Sequence, residues 1–198
     1  MSMPTAVSLS LPAWLTEALP HLPTTLPRVE QQMALVNELA ARNWREGNGG
    51  PFAAIVVDRS SGDLVSVGVN VVLSSGVSAG HAEVMALGLA QTRCGTWDLG
   101  DGRDLALVVN WRPCVQCYGA TMWSGVRHLV VAGDGPELER LTGFDEGPMV
   151  ADWAEQFERR GISVVQDVGR DEAIAVFTAY GAARVTVYNA RGGGPSPQ

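Results

Sequence analysis

Apolar residues recur along this chain at two periods, and the switches between them mark the elements. Val29, Met33, Val36, Leu39 and Ala40 fall at helical spacing and predict an amphipathic helix over residues 28–45. Gly47-Asn48-Gly49-Gly50, followed by Pro51, ends it. Residues 52–58 form a continuous apolar run that reads as a buried strand. Ser61-Gly62-Asp63 is a turn, and residues 64–73 return as the second strand of a hairpin. A helix follows over 82–91, a polar loop over 98–103, a strand over 105–110, a helix over 115–124 and a strand over 127–132. Residues 133–148 are glycine-rich and acidic, and long enough for a functional loop. The pattern closes with a helix over 149–160, a strand over 162–166, a helix over 171–180 and a short alternating stretch, 185–188, that reads as a strand or an anchored tail. Two hairpin strands followed by strands alternating with helices predict a three-layer α/β/α sandwich around a mixed five-stranded sheet, with no internal repeat.

The ends carry a different pattern. Five prolines lie in residues 1–27 (Pro4, Pro12, Pro20, Pro23 and Pro27), which read as an irregular arm with one short turn near residues 13–19. Leu9, Leu11, Trp14, Leu15, Leu19 and Leu22 make that arm too apolar to be a free tail, so it should pack on the domain or on a second subunit. The domain proper then spans 28–190, and residues 191–198 read as a disordered tail.

Composition narrows the functional classes. At 198 residues, 46% hydrophobic and 18% charged, the chain has enough apolar sequence for one buried core. The sequence holds neither a secretory signal pattern nor a membrane span, so the expected partners exclude the membrane and the expected location is the cytoplasm. Three cysteines, two of them closely spaced, do not suggest a disulfide framework. The net charge is −7, and all 14 basic residues are arginines without a basic run, which argues against a polynucleotide partner.

The chemistry concentrates in His81-Ala82-Glu83 and Pro113-Cys114-Val115-Gln116-Cys117. Cys114 and Cys117 straddle a predicted helix start, where unpaired N–H groups and the helix dipole favour thiolates. Taken alone, the pair also fits a redox site or half of a structural zinc knuckle. His81 alone fits a helix cap, and Glu83 alone fits dipole complementation. Together they offer three ligands for Zn²⁺, a fourth position for water, and a spare carboxylate to move protons. Such a metal lowers the pKa of water from ~16 to roughly 7. The pattern H-x-E…P-C-x-x-C is the signature of zinc deaminases. Cys94 reads as a core residue.

On these residues the chain resembles the cytidine deaminase superfamily, and within it the bacterial guanine deaminases, including those that accept the triazine ammeline. The resemblance covers roughly residues 28–190. It draws also on Gly49-Gly50-Pro51-Phe52-Ala53-Ala54, Trp123-Ser124-Gly125-Val126-Arg127, Gly143-Phe144-Asp145-Glu146-Gly147-Pro148 and Tyr188-Asn189-Ala190-Arg191. It implies one Zn²⁺ per subunit, held by His81, Cys114 and Cys117, and a homodimer. It implies Glu83 and Glu146 as catalytic carboxylates, and Asn70 as a hydrogen-bonding partner of the substrate. Phe52, Ala82 and Trp123 would line the pocket, Trp123 from its own subunit or across the dimer interface, and the C-terminal segment would close it through Tyr180 or Tyr188. Each position also has a plainer use: Asn70 in a strand-end turn, Trp123 in a core, Glu146 in a solvated loop.

The chain departs from the family pattern just before the cysteines. Where Thr-Ser-x-Glu is usual, it has Asn110, Trp111 and Arg112, and Gln116 stands between the cysteines where an apolar residue is usual. Trp111 and Arg112 therefore join the expected substrate-binding set, and they open the pocket to a modified, larger or negatively charged ring. The expected activity is hydrolytic deamination of a free nucleobase, guanine first. The alternatives are a nucleoside or another aminated heterocycle (ammeline, a pterin, a cytidine-type substrate) and, third, a non-catalytic zinc-stabilised binding module.

Overall fold

The structure, a computed structural model, describes residues 3–189. Its elements are α1 (Ala13–Ala18), a short 3-10 turn, α2 (Val29–Arg45), β1 (Ala53–Asp58), β2 (Leu64–Val69), α3 (Val72–Ser75), α4 (Ala82–Cys94), β3 (Leu105–Val109), α5 (Val115–Trp123), β4 (His128–Val131), α6 (Glu137–Thr142), α7 (Trp153–Glu158), β5 (Ser163–Val165) and α8 (Arg170–Ala182). The five strands form one mixed sheet in the order β2-β1-β3-β4-β5. β1 runs antiparallel to both of its neighbours, while β3, β4 and β5 run parallel.

Strand alternation builds two cores from one sheet. Ile55 and Val57, Ala106 and Val108, and Val130 face one layer, where they meet Met33 and Val36 of α2 and Phe177 of α8. Ala54 and Val56, Leu105 and Leu107, and Leu129 and Val131 face the other, with Ala86 and Ala90 of α4 and Phe157 of α7. Gly68 sets how closely α4 sits on β2: a Cβ there would fall 2.3 Å from the Ala82 carbonyl and 2.4 Å from the Ala86 nitrogen. Only a glycine lets the helix that begins at His81 lie against the strand.

The arm packs on its own domain. Leu15 is fully buried in the core, Trp14 lies under the Arg42 guanidinium, and residues 24–26 bond to Leu64 and Gly62 along the outer edge of β2. The arm thus covers a strand edge that would otherwise offer unpaired backbone groups.

Three boundaries differ from the sequence reading. The second hairpin strand stops at Val69 rather than residue 73, because the Asn70 side chain accepts the Val72 N–H and turns the chain into α3. The loop 133–148 contains α6, anchored by fully buried Leu138 and closed by Gly143 at φ +80. Six residues are too few for a helical period to stand out in sequence. The helix expected over 149–160 is reduced to α7. Residues 185–188 form no strand but are anchored, with the Tyr180 hydroxyl donating to the Thr186 carbonyl at 2.8 Å. The tail expected over 191–198 lies outside the described residues.

Candidate active site

β3 ends on the carboxyl side of the sheet, and residues 110–113 carry the chain from there to Cys114, the N-cap of α5. His81 is the N-cap of α4, and α4 packs against α5. Two helix starts therefore converge at one point. The His81 Nδ1 lies 3.4 Å from the Cys114 Sγ and 3.5 Å from the Cys117 Sγ. These three side chains are the one group of metal-binding character among the described residues, with ligand atoms all within 4.8 Å of one another.

The donor set fits zinc. One imidazole nitrogen and two sulfurs suit a borderline-soft dication and leave a coordination position open. The electrostatics point the same way. The Cys117 thiol beside Cys114 brings the latter's pKa down to about 4 against burial, and the His81 imidazole adds to this. Burial pushes the Cys117 thiol well up, and the neighbouring Cys114 pushes it further. Without a cation, one of two adjacent buried sulfurs holds its proton; a dication satisfies both as thiolates. Burial works against the charged form of His81, but its hydrogen bond to Cys114 and the Glu83 carboxylate outweigh that and raise its pKa.

Glu83 sits in the first turn of α4, buried, and burial raises its pKa, with the Cys114 sulfur adding to the rise. Glu146 arrives from the segment after α6 and lines the same pocket at 8% exposure. Burial, then Cys114 and Glu83, lift its pKa to about 8 against the opposing pull of Arg112. Two acids with raised pKa values beside a metal-ligand set are the equipment of proton transfer.

The pocket has a volume of about 220 Å³. Phe52 and Phe144 meet edge-on at 5.2 Å on one wall, and Tyr188 covers them at 4.8 Å from Phe144. Asn70 is fully buried. Its Oδ1 accepts the N–H groups of Gly50 and Val72, and its Nδ2 donates to the Tyr188 hydroxyl. Asn70 thus serves a turn and faces the pocket at once. Gly49 is required beside it, since a Cβ there would fall 2.2 Å from the Asn70 Oδ1. Asn43 of α2 ties the assembly together by donating to the Gly50 and Asn70 carbonyls.

Of the residues singled out in the sequence, Phe52, Asn70, His81, Glu83, Trp111, Arg112, Cys114, Gln116, Glu146 and Tyr188 line this pocket, and Cys117 joins His81 and Cys114 in the group that could hold a metal. Ala82 does not: it is fully buried in the second core, where it packs beneath the sheet. Trp123 does not line it either, standing at the end of α5 with 80% exposure. Cys94 is partly buried at the rim of the second core. Asn110 turns inward as a structural clamp: its Oδ1 accepts the Ala53 N–H and its Nδ2 donates to the Pro51 carbonyl. Sequence reasoning missed Ser78, Val109, Phe144, Asp145 and Asn189 in the lining. Phe144 and Asp145 adjoin Glu146 in the Gly143–Pro148 segment, which was the available signal for them. Asn189 adjoins Tyr188 in the Tyr188–Arg191 segment, the corresponding signal for it; it clips the C-terminal segment to that loop, donating to the Gly143 carbonyl and accepting the Asp145 N–H.

A mixed sheet with two helix starts presenting one His, two Cys and a free Glu defines a hydrolase of the zinc deaminase class. Residues 27–133 match the cytidine and deoxycytidylate deaminase zinc-binding region, and the chain belongs to that family. It is 30% identical over 142 residues to the guanine deaminase of Bacillus subtilis, covering 72% of this chain and 86% of that one. The solved guanine deaminase from Nitrosomonas europaea is 42% identical over 92% of this chain and all of its own, with a TM-score of 0.84. A related crystal structure with 2,6-diaminopurine bound is 43% identical, covers 94% of this chain and 98% of its own, and has a TM-score of 0.84.

Proposed function

We propose that this protein deaminates a free amino-heterocycle, guanine first, releasing xanthine and ammonia. The observation that carries the reading is the second acid: Glu146 reaches the pocket that holds Glu83 and the metal ligands. Hydrolysis at an amino-bearing ring carbon requires protons to leave the attacking water and to reach both a ring nitrogen and the departing nitrogen. His81, Cys114 and Cys117 would hold a zinc ion, which would supply Lewis acidity to the reaction. Glu83 would take one proton from the water and deliver it to the ring nitrogen, then take the second from the hydroxyl of the adduct and deliver it to the departing amino nitrogen, which leaves as ammonia. In the metal-free protein burial raises the Glu146 pKa to about 8, which favours an acid able to bind a ring edge and to assist that transfer. Phe52 and Phe144 offer apolar faces to a flat ring, and Asn70 and Tyr188 offer polar groups to its edge.

Pocket size supports a free base over a nucleoside. At about 220 Å³ the space lies below the usual range for small-molecule sites, and Tyr188 stands over it. The likeness to guanine deaminases over more than nine-tenths of the chain supports the same choice. The protein is further read as a cytoplasmic homodimer. Free cysteines fit a reducing compartment, and Trp123 and Val115 on α5 leave apolar surface uncovered. No helix among the described residues is long and apolar enough to cross a membrane.

An ammonia-release screen tests the reading, with guanine, ammeline, other aminopurines, pterins, cytosine and their nucleosides as substrates and Glu83→Ala as control. Guanine should lead. A nucleoside turned over faster than every free base would sink it. Sedimentation of wild type and Trp123→Glu tests the dimer, which the charge should weaken.

A further inference from the structure

We propose that Ser163, His128 and Asp104 form a second, nucleophilic site, which takes the acyl group of a small ester and passes it to water. The site lies at the other end of the sheet from the metal ligands and does not depend on the deaminase reading.

Strand register builds it. β3, β4 and β5 run parallel, and the cysteine ligands follow the far end of β3. Asp104 precedes β3, His128 is the first residue of β4, and Ser163 is the first residue of β5. His128 and Ser163 are register partners, so their side chains leave one face side by side. The Ser163 Oγ lies 2.6 Å from the His128 Nδ1, and the Asp104 Oδ1 lies 2.7 Å from the His128 Nε2. Arg59, from the turn after β1, brings its Nη1 to within 3.2 Å of the same Nδ1.

Arg59 fixes where the imidazole carries its proton. A guanidinium only donates, so the Nδ1 accepts, and the proton sits on the Nε2 facing the Asp104 carboxylate. The Ser163 hydroxyl then donates to the Nδ1. A hydroxyl aimed at a neutral imidazole that a carboxylate orients from behind is the arrangement that activates a serine; roles define it, whichever ring nitrogen fills each. The Ser163 Oγ attacks the ester carbonyl as its proton passes to the Nδ1. The C–O bond breaks, and the leaving oxygen takes that proton away as an alcohol. Water then gives a proton to the same nitrogen and attacks the acyl carbon; the Ser163 Oγ leaves, recovers the proton, and the acid departs. Asp104 offsets the charge on the imidazole, and the exposed Arg59 guanidinium stands beside the hydroxyl, where the carbonyl oxygen turns negative. Ser163 is exposed on the edge strand β5, so a small ester reaches it directly from solvent.

The test treats the zinc-loaded full chain with an alkyl fluorophosphonate and, separately, with p-nitrophenyl acetate. The fluorophosphonate should bond its phosphorus to the Ser163 Oγ with loss of fluoride, and peptide mass spectrometry locates the adduct. The acetate ester should release nitrophenol, and the chain has no lysine to compete for the acetyl group. Both reactions at Ser163 should vanish in Ser163→Ala and slow by about hundredfold in His128→Gln. Urea unfolding of each variant confirms that it is folded under the assay conditions. Wild-type protein left unlabelled at Ser163 overturns the proposal, and that result needs no variant. Labelling that proceeds at full rate in His128→Gln also overturns it, and leaves the three residues only the role of clipping the strand starts together.

Discussion

Replacing Asn70 separates two roles that the fold has placed on one side chain. Its Oδ1 accepts two buried backbone N–H groups, from Gly50 at 3.3 Å and Val72 at 3.2 Å, and its Nδ2 reaches the Tyr188 hydroxyl over the pocket. Asn70→Ala orphans both N–H groups at a fully buried position. Each unsatisfied donor costs about 1–3 kcal/mol, so the pair costs about 2–6 kcal/mol. That is a large part of the roughly 5–15 kcal/mol that stabilises a domain, and it lowers Tm by something on the order of 5–20 °C at this chain length. Asn70→Asp keeps the acceptor, loses the amide donors and adds a buried carboxylate whose charge the two N–H groups partly offset. It should unfold closer to wild type while kcat/KM on guanine falls about as far as in the alanine variant. Urea unfolding and steady-state kinetics on all three zinc-loaded proteins read both effects. An Asn70→Ala protein within about 0.5 kcal/mol of wild type would refute the argument, because two buried donors would then have lost their acceptor without consequence.

Other variants probe other parts. Glu83→Ala should keep zinc, measured by metal analysis, while turnover drops by about 10²–10⁴-fold. Glu146 carries a pH signature in metal-free protein. Its pKa is raised from 4.5 to about 8, so the folded state holds a proton that the unfolded state releases; the stability this gives is complete below pH 4.5 and is lost as pH rises towards 8. Urea unfolding of metal-free Glu146→Gln between pH 5 and 8 should lack that part of the slope, and parallel curves for the two proteins would contradict it. Gly68→Ala should push α4 off β2 and shift His81, lowering both Tm and zinc affinity in a chelator competition. Stripping zinc should lower Tm and take up a proton, because two buried sulfurs then share less than two charges.

The reaction class was legible in the sequence because its ligands are local. His81 and Glu83 share one helix start, Cys114 and Cys117 another, and ligand chemistry depends on residue type and short spacing. The layers were legible too, since strand and helix periods survive in the apolar pattern of residues 28–45, 52–58 and 105–110. What a side chain faces could not be read in the same way. Trp123 and Trp111 are the same residue type beside the same motif, yet one is 80% exposed and the other 1%. Asn110 and Asn70 both follow apolar strands, yet one clamps β1 and the other faces the pocket. Those outcomes depend on pairs far apart in the chain: Asn70 with Tyr188, Arg112 with Asp134, Glu146 with Glu83. The sequence by itself determined the metal, its ligands and the layered fold, because each is written in short-range spacing. The tertiary structure alone decided which of these side chains reach the pocket and which are buried elsewhere, because burial exists only once distant segments have packed.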